Sequence, residues 1–261
     1  DPMSEHFELR LARSRMIAPS VRHMAFERSD GAGLRFIPGQ FLQVHFEAHG
    51  QALKRSYSVA TWHGDPDNPA QQVEISVAAV AVEKETARLS GMQPGDCIAA
   101  SGPYGRFCLH DADANRRYLL IATGTGVTPY RAMLPLLAQQ IATRGIEVVL
   151  LFGARTHSDV LYGAQFRDFA ERVPGFRFMP CLSREPGPAS HADERRGHVQ
   201  AALAELAPDP ARDIAYLCGN PNMVDACFEA LKGHGLPIPA IRREKYVSPP
   251  DPRRAAAASS A

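Results

Sequence analysis

The chain has 261 residues, of which 45% are hydrophobic and 22% charged, and its formal net charge is +1. This composition excludes extensive disorder and any function that depends on overall positive charge, such as nucleic-acid wrapping. No apolar run approaches the roughly 20 residues of a membrane span. Five scattered cysteines without a CxxC pair predict a reducing, cytoplasmic setting, and at roughly 150 residues per domain the length allows two domains.

The first part of the chain carries short alternating apolar runs, for example at residues 41–46 and 73–77, separated by turns rich in glycine and proline. Alternation of this kind is typical of strands with one buried face. We therefore expect residues 1–110 to form an antiparallel β-barrel domain.

The pattern changes at residue 118. Continuous apolar stretches now alternate with helix-sized segments, which is typical of a parallel sheet built from βαβ units. We expect a Rossmann-like α/β domain over residues 111–248, with residues 111–117 as its linker and residues 249–261 as a loosely ordered tail. The predicted strands are 118–122, 147–152, 177–182 and 214–218.

A basic and aromatic segment at residues 55–58 is placed at the start of a strand in the barrel part. Strand alternation puts Arg55 and Tyr57 on one face and Ser56 and Ser58 on the other. An arginine for phosphate, an aromatic plane for stacking and a hydroxyl donor suit a flavin nucleotide. An exposed polar strand edge is the alternative interpretation.

A glycine loop at residues 124–129 follows the strand 118–122 and opens a helix. Its glycines allow backbone N–H groups to approach a pyrophosphate, and the helix N-terminus adds positive potential. Pro129 suits the first helical turn. Because the last glycine of the usual GxGxxG pattern is absent, a purely structural turn is the alternative.

Two further strand ends carry polar groups. Cys218 ends the last predicted strand, and the turn at residues 219–221 follows it. This position is the sheet edge where open α/β folds bind ligands. The alternative interpretation is that Cys218 is a buried core residue. Ser183 and Arg184 end the neighbouring strand. A hydroxyl and a guanidinium suit the 2′-phosphate of NADP(H), whereas an NAD-preferring site carries an acidic residue at this position. The alternative interpretation is a basic turn exposed to solvent.

In this order the four segments resemble the motifs of the ferredoxin–NADP⁺ reductase family, above all its bacterial members, and the resemblance spans residues 10–248. It implies a two-domain protein, an FAD-binding antiparallel barrel followed by an NADP-binding α/β domain, with FAD and NADP(H) as cofactors.

The resemblance also implies roles for individual residues. Tyr57 would stack on the isoalloxazine, Arg55 would pair with the FAD pyrophosphate, and Ser58 would hydrogen-bond near the hydride-accepting nitrogen. Cys218 would shape the place where the nicotinamide stacks, so that Ser58, Tyr57 and Cys218 are the candidate catalytic residues. The strand 75–80 would line the flavin edge, and the further FAD contacts implied are Ser56, Val77, Ala78, Lys84, Thr86 and Tyr246. The implied NADP(H) contacts are Thr123, Gly124, Thr125, Gly126, Thr128, Pro129, Arg155, Ser183, Arg184, Arg196, His198, Gly219, Asn220 and Met223.

The sequence departs from the family pattern at two places. Glu83 stands where the family has a glycine in the FAD phosphate loop, the loop in which Thr86 would cap a short helix. His198 follows Gly197 where an arginine is usual, so we expect Arg196 or His198 to share the phosphate-binding role with Arg155.

The predicted activity is hydride transfer from NADPH to FAD, followed by single-electron transfer to ferredoxin or flavodoxin. Lys54, Arg88 and Arg106 would dock these acidic carriers. No metal site is expected, because the histidines are scattered along the sequence. We expect a monomer, because the sequence has no apolar stripe of the kind that binds a second subunit. Two alternatives are an NADH-linked flavin or oxygenase reductase of the same fold and a nucleotide-binding regulatory module without turnover.

Overall fold

The computed structural model describes residues 5–48, 50–65, 67–78 and 84–246, with Ala48 and residues 84–86 described by their backbone alone. None of the helices in these segments is both long enough and apolar enough to cross a membrane.

Six antiparallel strands form the first sheet, in the order β4-β3-β6-β1-β2-β5. Its end strands, β4 and β5, contact each other and close the sheet into the predicted barrel. Alternating apolar residues such as Leu9, Leu11 and Leu42 fill its interior, because successive side chains on a strand point to opposite faces. The elements are β1 (Glu5–Ala18), β2 (Val21–Arg28), β3 (Phe41–Ala48), β4 (Gln51–Ser58), β5 (Val73–Ala78), α1 (Lys84–Ser90) and β6 (Cys97–Tyr104).

The second sheet has six parallel strands in the order β10-β9-β8-β7-β11-β12, with helices on both faces. Leu120 and Leu150 pack with α2 and α3 on one face, whereas Leu119 and Leu151 pack with α4 and α5 on the other. Burial on both faces explains the continuous apolar strands of the sequence. The elements are β7 (Arg117–Thr123), α2 (Thr128–Arg144), β8 (Glu147–Ala154), α3 (Gly163–Arg172), β9 (Phe176–Leu182), β10 (Arg195–Arg196), α4 (Val199–Glu205), β11 (Asp213–Gly219), α5 (Pro221–Gly233) and β12 (Ile241–Lys245).

The predicted fold class is confirmed, but two local predictions are wrong. Residues 55–58 end β4 rather than begin a strand, because β4 pairs with β3 from Gln51 onward. Arg117 belongs to β7 and not to a linker, since its guanidinium is buried and donates to Asp213 at 2.8 Å. The boundary at residues 110 and 111 lies between the two sheets and stays a prediction, while the predicted tail at residues 249–261 lies outside the described residues.

A buried polar cluster joins the two sheets. His23 bonds the Tyr162 hydroxyl through Nδ1 at 2.7 Å and the Glu74 carboxylate through Nε2 at 3.0 Å. Arg131, at the start of α2, donates to the carbonyl of Ala60 at 2.7 Å and to Glu74 at 3.4 Å. Burial alone would raise the pKa of Glu74, but the His23 bond and the Arg131 charge lower it to about 2. Charged and hydrogen-bonded groups therefore hold the barrel against the α/β part.

Candidate active site between the two sheets

A groove of about 980 Å³ runs along the carboxyl edge of the parallel sheet and ends against the barrel. Its volume lies at the upper end of the range of roughly 300–1,000 Å³ that is usual for ligand sites. At the barrel end it is lined by Ala18, Val21 and Ala78, and at the far end by Arg155 and Arg184. The predicted strand ends thus meet along one continuous surface.

The glycine loop between β7 and α2 uses its two glycines differently. Gly124 has φ +54°, and a Cβ added there would meet no atom within 4 Å, so its backbone stays open at the rim of the groove. A Cβ on Gly126 would lie 2.3 Å from the carbonyl oxygen of Cys218. Gly126 therefore allows the turn to pack on β11, and Gly124 leaves a backbone cradle of the kind that a pyrophosphate needs.

Three of the predicted loop contacts lie beneath this cradle. Gly126, Thr128 and Pro129 are buried at the base of α2, whereas Thr123 and Thr125 line the groove with Gly124. The hydroxyl of Thr128 has no hydrogen-bond partner among the described residues.

The end of β11 forms a second wall. Gly219 has φ +136°, and a Cβ there would lie 2.5 Å from the Thr123 hydroxyl oxygen. That hydroxyl accepts a hydrogen bond from the backbone N–H of Asn220 at 3.0 Å. The side-chain oxygen of Asn220 accepts from the N–H of Asn222 at 2.8 Å and caps α5. Asn220 and Met223, both predicted contacts, line the groove at this helix start.

Residues from both domains meet at the barrel end of the groove. The Ser58 hydroxyl hydrogen-bonds the Tyr246 hydroxyl, and the Tyr246 N–H donates to the carbonyl of Gly219 at 2.8 Å. The Tyr246 side chain also bonds the Cys218 thiol, and burial raises the pKa of that thiol well above its usual value. Tyr246 thus bridges Ser58 and Cys218, and Cys218 is a neutral packing group rather than a thiolate.

Strand β4, whose last residue Ser58 bonds Tyr246, also carries the other predicted flavin residues. Arg55 and Tyr57 are half-buried on one face, and Lys54 and Ser56 are exposed on the other, as the alternation predicts. A cation, an aromatic ring and a hydroxyl donor on neighbouring positions fit a flavin nucleotide.

Other predicted flavin contacts are less completely described. On β5 the Val77 side chain is buried in the barrel core, whereas Ala78 lines the groove. Lys84 and Thr86 fall in the first turn of α1, but their side chains, like Glu83 and residues 79–80, lie outside the described residues.

The far end of the groove carries the predicted phosphate-binding residues. Arg155, Ser183, Arg184 and His198 all line it. The N–H of Ser183 donates to the carbonyl of Ala154 at 3.0 Å, and that of Arg184 donates to the carbonyl of Arg155 at 2.8 Å. This pairing continues the β8–β9 ladder and places two exposed guanidinium groups on adjacent segments.

Arg196, also predicted to bind phosphate, has other partners. Its guanidinium donates to the Glu194 carboxylate at 2.5 Å and to the carbonyls of Gly187 and Pro188 at 3.0 and 2.7 Å. It is not part of the groove lining in the described structure. Of the two alternatives at this position, the structure brings His198 to the groove.

Two residues, Gln200 in the groove lining and Glu244 on the strand beside Cys218, were not predicted from the sequence. Glu244 pairs with Cys218 in the β11–β12 register, and burial raises its pKa to about 7. A lone acid between basic neighbours in β12 is the sequence signal for it. Gln200 lines the groove, and its side-chain oxygen is buried without a partner among the described residues. An orphaned acceptor of this kind fits a ligand donor, such as a ribose hydroxyl.

Comparison with known proteins agrees with this geometry. Residues 8–108 match the family described as an oxidoreductase FAD-binding domain, and residues 120–229 match the oxidoreductase NAD-binding domain. The fold and the groove therefore define an oxidoreductase that uses FAD and a nicotinamide dinucleotide.

Similar proteins indicate which family within this class of oxidoreductases the chain belongs to. The chain is 34% identical over 251 residues to ferredoxin–NADP reductase B of Sorangium cellulosum, covering 93% of this chain and 98% of that protein. It is 30% identical to the reductase component of propane 2-monooxygenase from Rhodococcus jostii, covering 92% of this chain but 63% of that protein. The crystal structure of the Amycolatopsis cytochrome P450 reductase GcoB superposes with a TM-score of 0.80 at 29% identity, covering 94% of this chain and 71% of that one. The chain belongs to the ferredoxin–NADP reductase family.

Proposed function

We propose that this protein is a ferredoxin–NADP⁺ reductase, which passes electrons between NADP(H) and ferredoxin or flavodoxin through FAD. The observation that carries the coenzyme assignment is the pair of exposed guanidinium groups of Arg155 and Arg184 beside the Ser183 hydroxyl. Two cations and a hydroxyl match a 2′-phosphate, which NAD(H) lacks.

Different residues along the groove bind different parts of the two cofactors. Thr123, Gly124 and Thr125 offer backbone and hydroxyl groups to the pyrophosphate, while Asn220 and Met223 bound the path toward the barrel. Arg55 and Tyr57 hold the flavin nucleotide on β4. FAD, when bound, supplies the exchange between two-electron and one-electron chemistry.

At the barrel end, the residues position groups and hold protons. The Tyr246 side chain hydrogen-bonds both Ser58 and Cys218. Cys218 keeps its thiol proton because burial raises its pKa. Glu244, with a pKa of about 7, holds or releases a proton near neutral pH one strand away from Cys218.

The partner is proposed from charge. Lys54, Arg88 and Arg106 are exposed on the barrel part and suit an acidic carrier. Reversing these charges should raise the KM for ferredoxin and leave NADPH reduction of the flavin unchanged; an unaltered KM would contradict this docking face. We further propose a monomeric, cytoplasmic enzyme, with residues 1–110 serving FAD and residues 111–248 serving NADP(H).

The test is an anaerobic absorption titration of the purified protein with NADPH and, in parallel, with NADH. Bleaching of a flavin band at much lower NADPH than NADH concentration supports the proposal. Arg184→Ala should weaken NADPH far more than NADH, whereas Arg167→Ala on α3, a residue outside the groove lining, should change neither. A colourless protein that does not take up FAD would contradict the flavin assignment.

A second candidate is an NADH-linked reductase of an oxygenase or of free flavins. It is favoured by the relative whose name is a monooxygenase reductase component and by His198 in place of an arginine. Equal loss of NADPH and NADH affinity in Arg184→Ala would select this candidate. A regulatory module without turnover, the third alternative, is eliminated if the protein sustains NADPH-dependent reduction of ferredoxin.

A further inference from the structure

A histidine sits between two carboxylates behind the phosphate-binding end of the groove. His157 Nε2 lies 2.9 Å from the carboxylate of Glu194, and its Nδ1 lies 3.2 Å from the carboxylate of Glu185. The same Glu185 carboxylate accepts the backbone N–H of His157 at 2.8 Å. No sequence motif points to this cluster.

The cluster ties together the segments that carry the two guanidinium groups. Residues 155–157 and 183–185 run side by side beyond the sheet, joined by the Arg184–Arg155 backbone bond and then by the His157–Glu185 contacts. Glu194, 2% exposed, belongs to a third segment and also accepts the N–H of Ser190 at 3.2 Å. His157 therefore joins three segments at a point two residues beyond Arg155.

The charges of the cluster depend on His157. Glu185 and Glu194 contribute two negative charges, and Arg196, bound to Glu194, contributes one positive charge. With neutral His157 the group has a net charge of −1, and with protonated His157 it has none. The other charged groups on these segments are Arg155, Asp159, Arg184, His191, Asp193 and Arg195.

The contacts favour the protonated form. The hydrogen bond to Glu194, followed by that to Glu185, raises the pKa of His157 above its usual value. Burial opposes ionisation of Glu194, but the bonds from Arg196 and His157 lower its pKa to about 2. Both carboxylates therefore stay charged when the histidine loses its proton.

We propose that His157 is a positioning residue for coenzyme discrimination: by bonding Glu185 and Glu194 it keeps their charge away from Arg155 and Arg184, which then serve the 2′-phosphate of NADP(H). Loss of its proton leaves an uncompensated negative charge beside that phosphate and weakens NADP(H), while NAD(H), which lacks the phosphate, is little affected. This inference rests on the proposed coenzyme assignment.

The experiment measures the Kd of NADP⁺ and of NAD⁺ by calorimetry, without turnover, for the FAD-loaded wild type and His157→Gln. At pH 7 the variant should bind NADP⁺ roughly three- to fivefold more weakly, the size expected for a partly exposed charge interaction, and NAD⁺ within about twofold of the wild type. Adding Glu185→Gln to His157→Gln should restore most of the NADP⁺ affinity, because the uncompensated charge is then gone.

Measurements over a range of pH distinguish an effect of the charge of His157 from an effect of its shape. From pH 6.5 to 8.5 the ratio of the NADP⁺ Kd to the NAD⁺ Kd should rise more in the wild type than in His157→Gln. Ionisation of the 2′-phosphate, with a pKa of about 6, acts on both proteins, and His198 is unchanged in both, so the difference between them isolates His157. His63→Gln, which changes a half-buried histidine of the barrel part bonded to the backbone carbonyl of Asn68, should leave the ratio unchanged.

The outcomes are distinct. A wild type without preference for NADP⁺ overturns both the coenzyme assignment and this inference. A wild type that prefers NADP⁺, with His157→Gln of equal thermal stability binding both coenzymes as the wild type does, overturns the inference alone. Equal weakening of NADP⁺ and NAD⁺ in the variant also overturns it, because His157 would then have a structural role only.

Discussion

Arg131 of α2 and Glu74 of β5 form an ion pair across the seam between the two sheets, with 3.4 Å between Nη1 and Oε2 and with both side chains nearly buried. Removing one member of a buried pair leaves the other charge uncompensated, which costs about 3–5 kcal/mol. The seam aligns the barrel with the α/β part, so this pair contributes to the geometry of the groove as well as to stability.

We expect Arg131→Met to lower the free energy of unfolding by about 3 kcal/mol, measured by urea denaturation of the FAD-loaded protein. The exposed pair of Arg172 and Asp168 on α3 provides the control, and Arg172→Met should change stability by about 0.5 kcal/mol or less. The double variant Arg131→Met with Glu74→Gln should lose less than the sum of the single changes. Strict additivity would contradict coupling across the seam.

Acid sensitivity should depend on Glu74. Its folded pKa of about 2 lies below the usual value of 4.5, so its contribution is present above pH 4.5 and is lost as the pH falls toward 2. Between pH 7 and pH 3.5 the wild type should lose roughly 1–2 kcal/mol more stability than Glu74→Gln, as denaturant titrations at the two pH values would show. Parallel losses in the two proteins would mean that Glu74 is not stabilised as an anion.

Glu244 should act in the opposite direction. Its folded pKa of about 7 lies above 4.5, so its contribution is complete below pH 4.5 and disappears as the pH rises through 7. Glu244→Gln should therefore abolish a decline of roughly 2–3 kcal/mol between pH 5 and pH 8, followed by chemical denaturation across this range. A decline that persists in the variant would assign it to another group.

Gly126 should not tolerate a methyl group. In Gly126→Ala the new Cβ would lie 2.3 Å from the carbonyl oxygen of Cys218, so the turn must move away from β11. Overpacking of this kind costs about 1–3 kcal/mol, and the displaced loop should also bind NADP⁺ more weakly. Gly233→Ala, at the end of α5 with nothing within 4 Å, should be neutral in both thermal denaturation and binding. Wild-type behaviour of Gly126→Ala would contradict the close approach.

Much of the site was predictable because its parts are local. The glycine loop lies between a strand and a helix, and Ser183, Arg184 and Asn220 lie at strand ends, as their neighbours in the sequence predict. Parallel strands align these ends at one edge of the sheet whatever the details of packing. The alternation that separates Arg55 and Tyr57 from Ser56 is equally local.

The partner of each side chain was not predictable in this way. Arg196 and His198 are equally plausible phosphate ligands in the sequence, whereas in the structure Arg196 pairs with Glu194 and His198 lines the groove. The start of β4 was misplaced because hairpin pairing with β3, rather than the composition of residues 55–58, sets the strand bounds.

The sequence by itself determined the two-part architecture, the order of the four nucleotide-binding segments and the residue types in each, because hydrophobic periodicity and turn chemistry are read over a few neighbouring positions. Only the tertiary structure brought Ser58, Cys218 and Tyr246 together from distant parts of the chain, partly buried Glu244 and Glu74, and placed His157 between two carboxylates. The physical reason is that protonation and hydrogen bonding depend on burial and on neighbouring charges, which long-range packing decides.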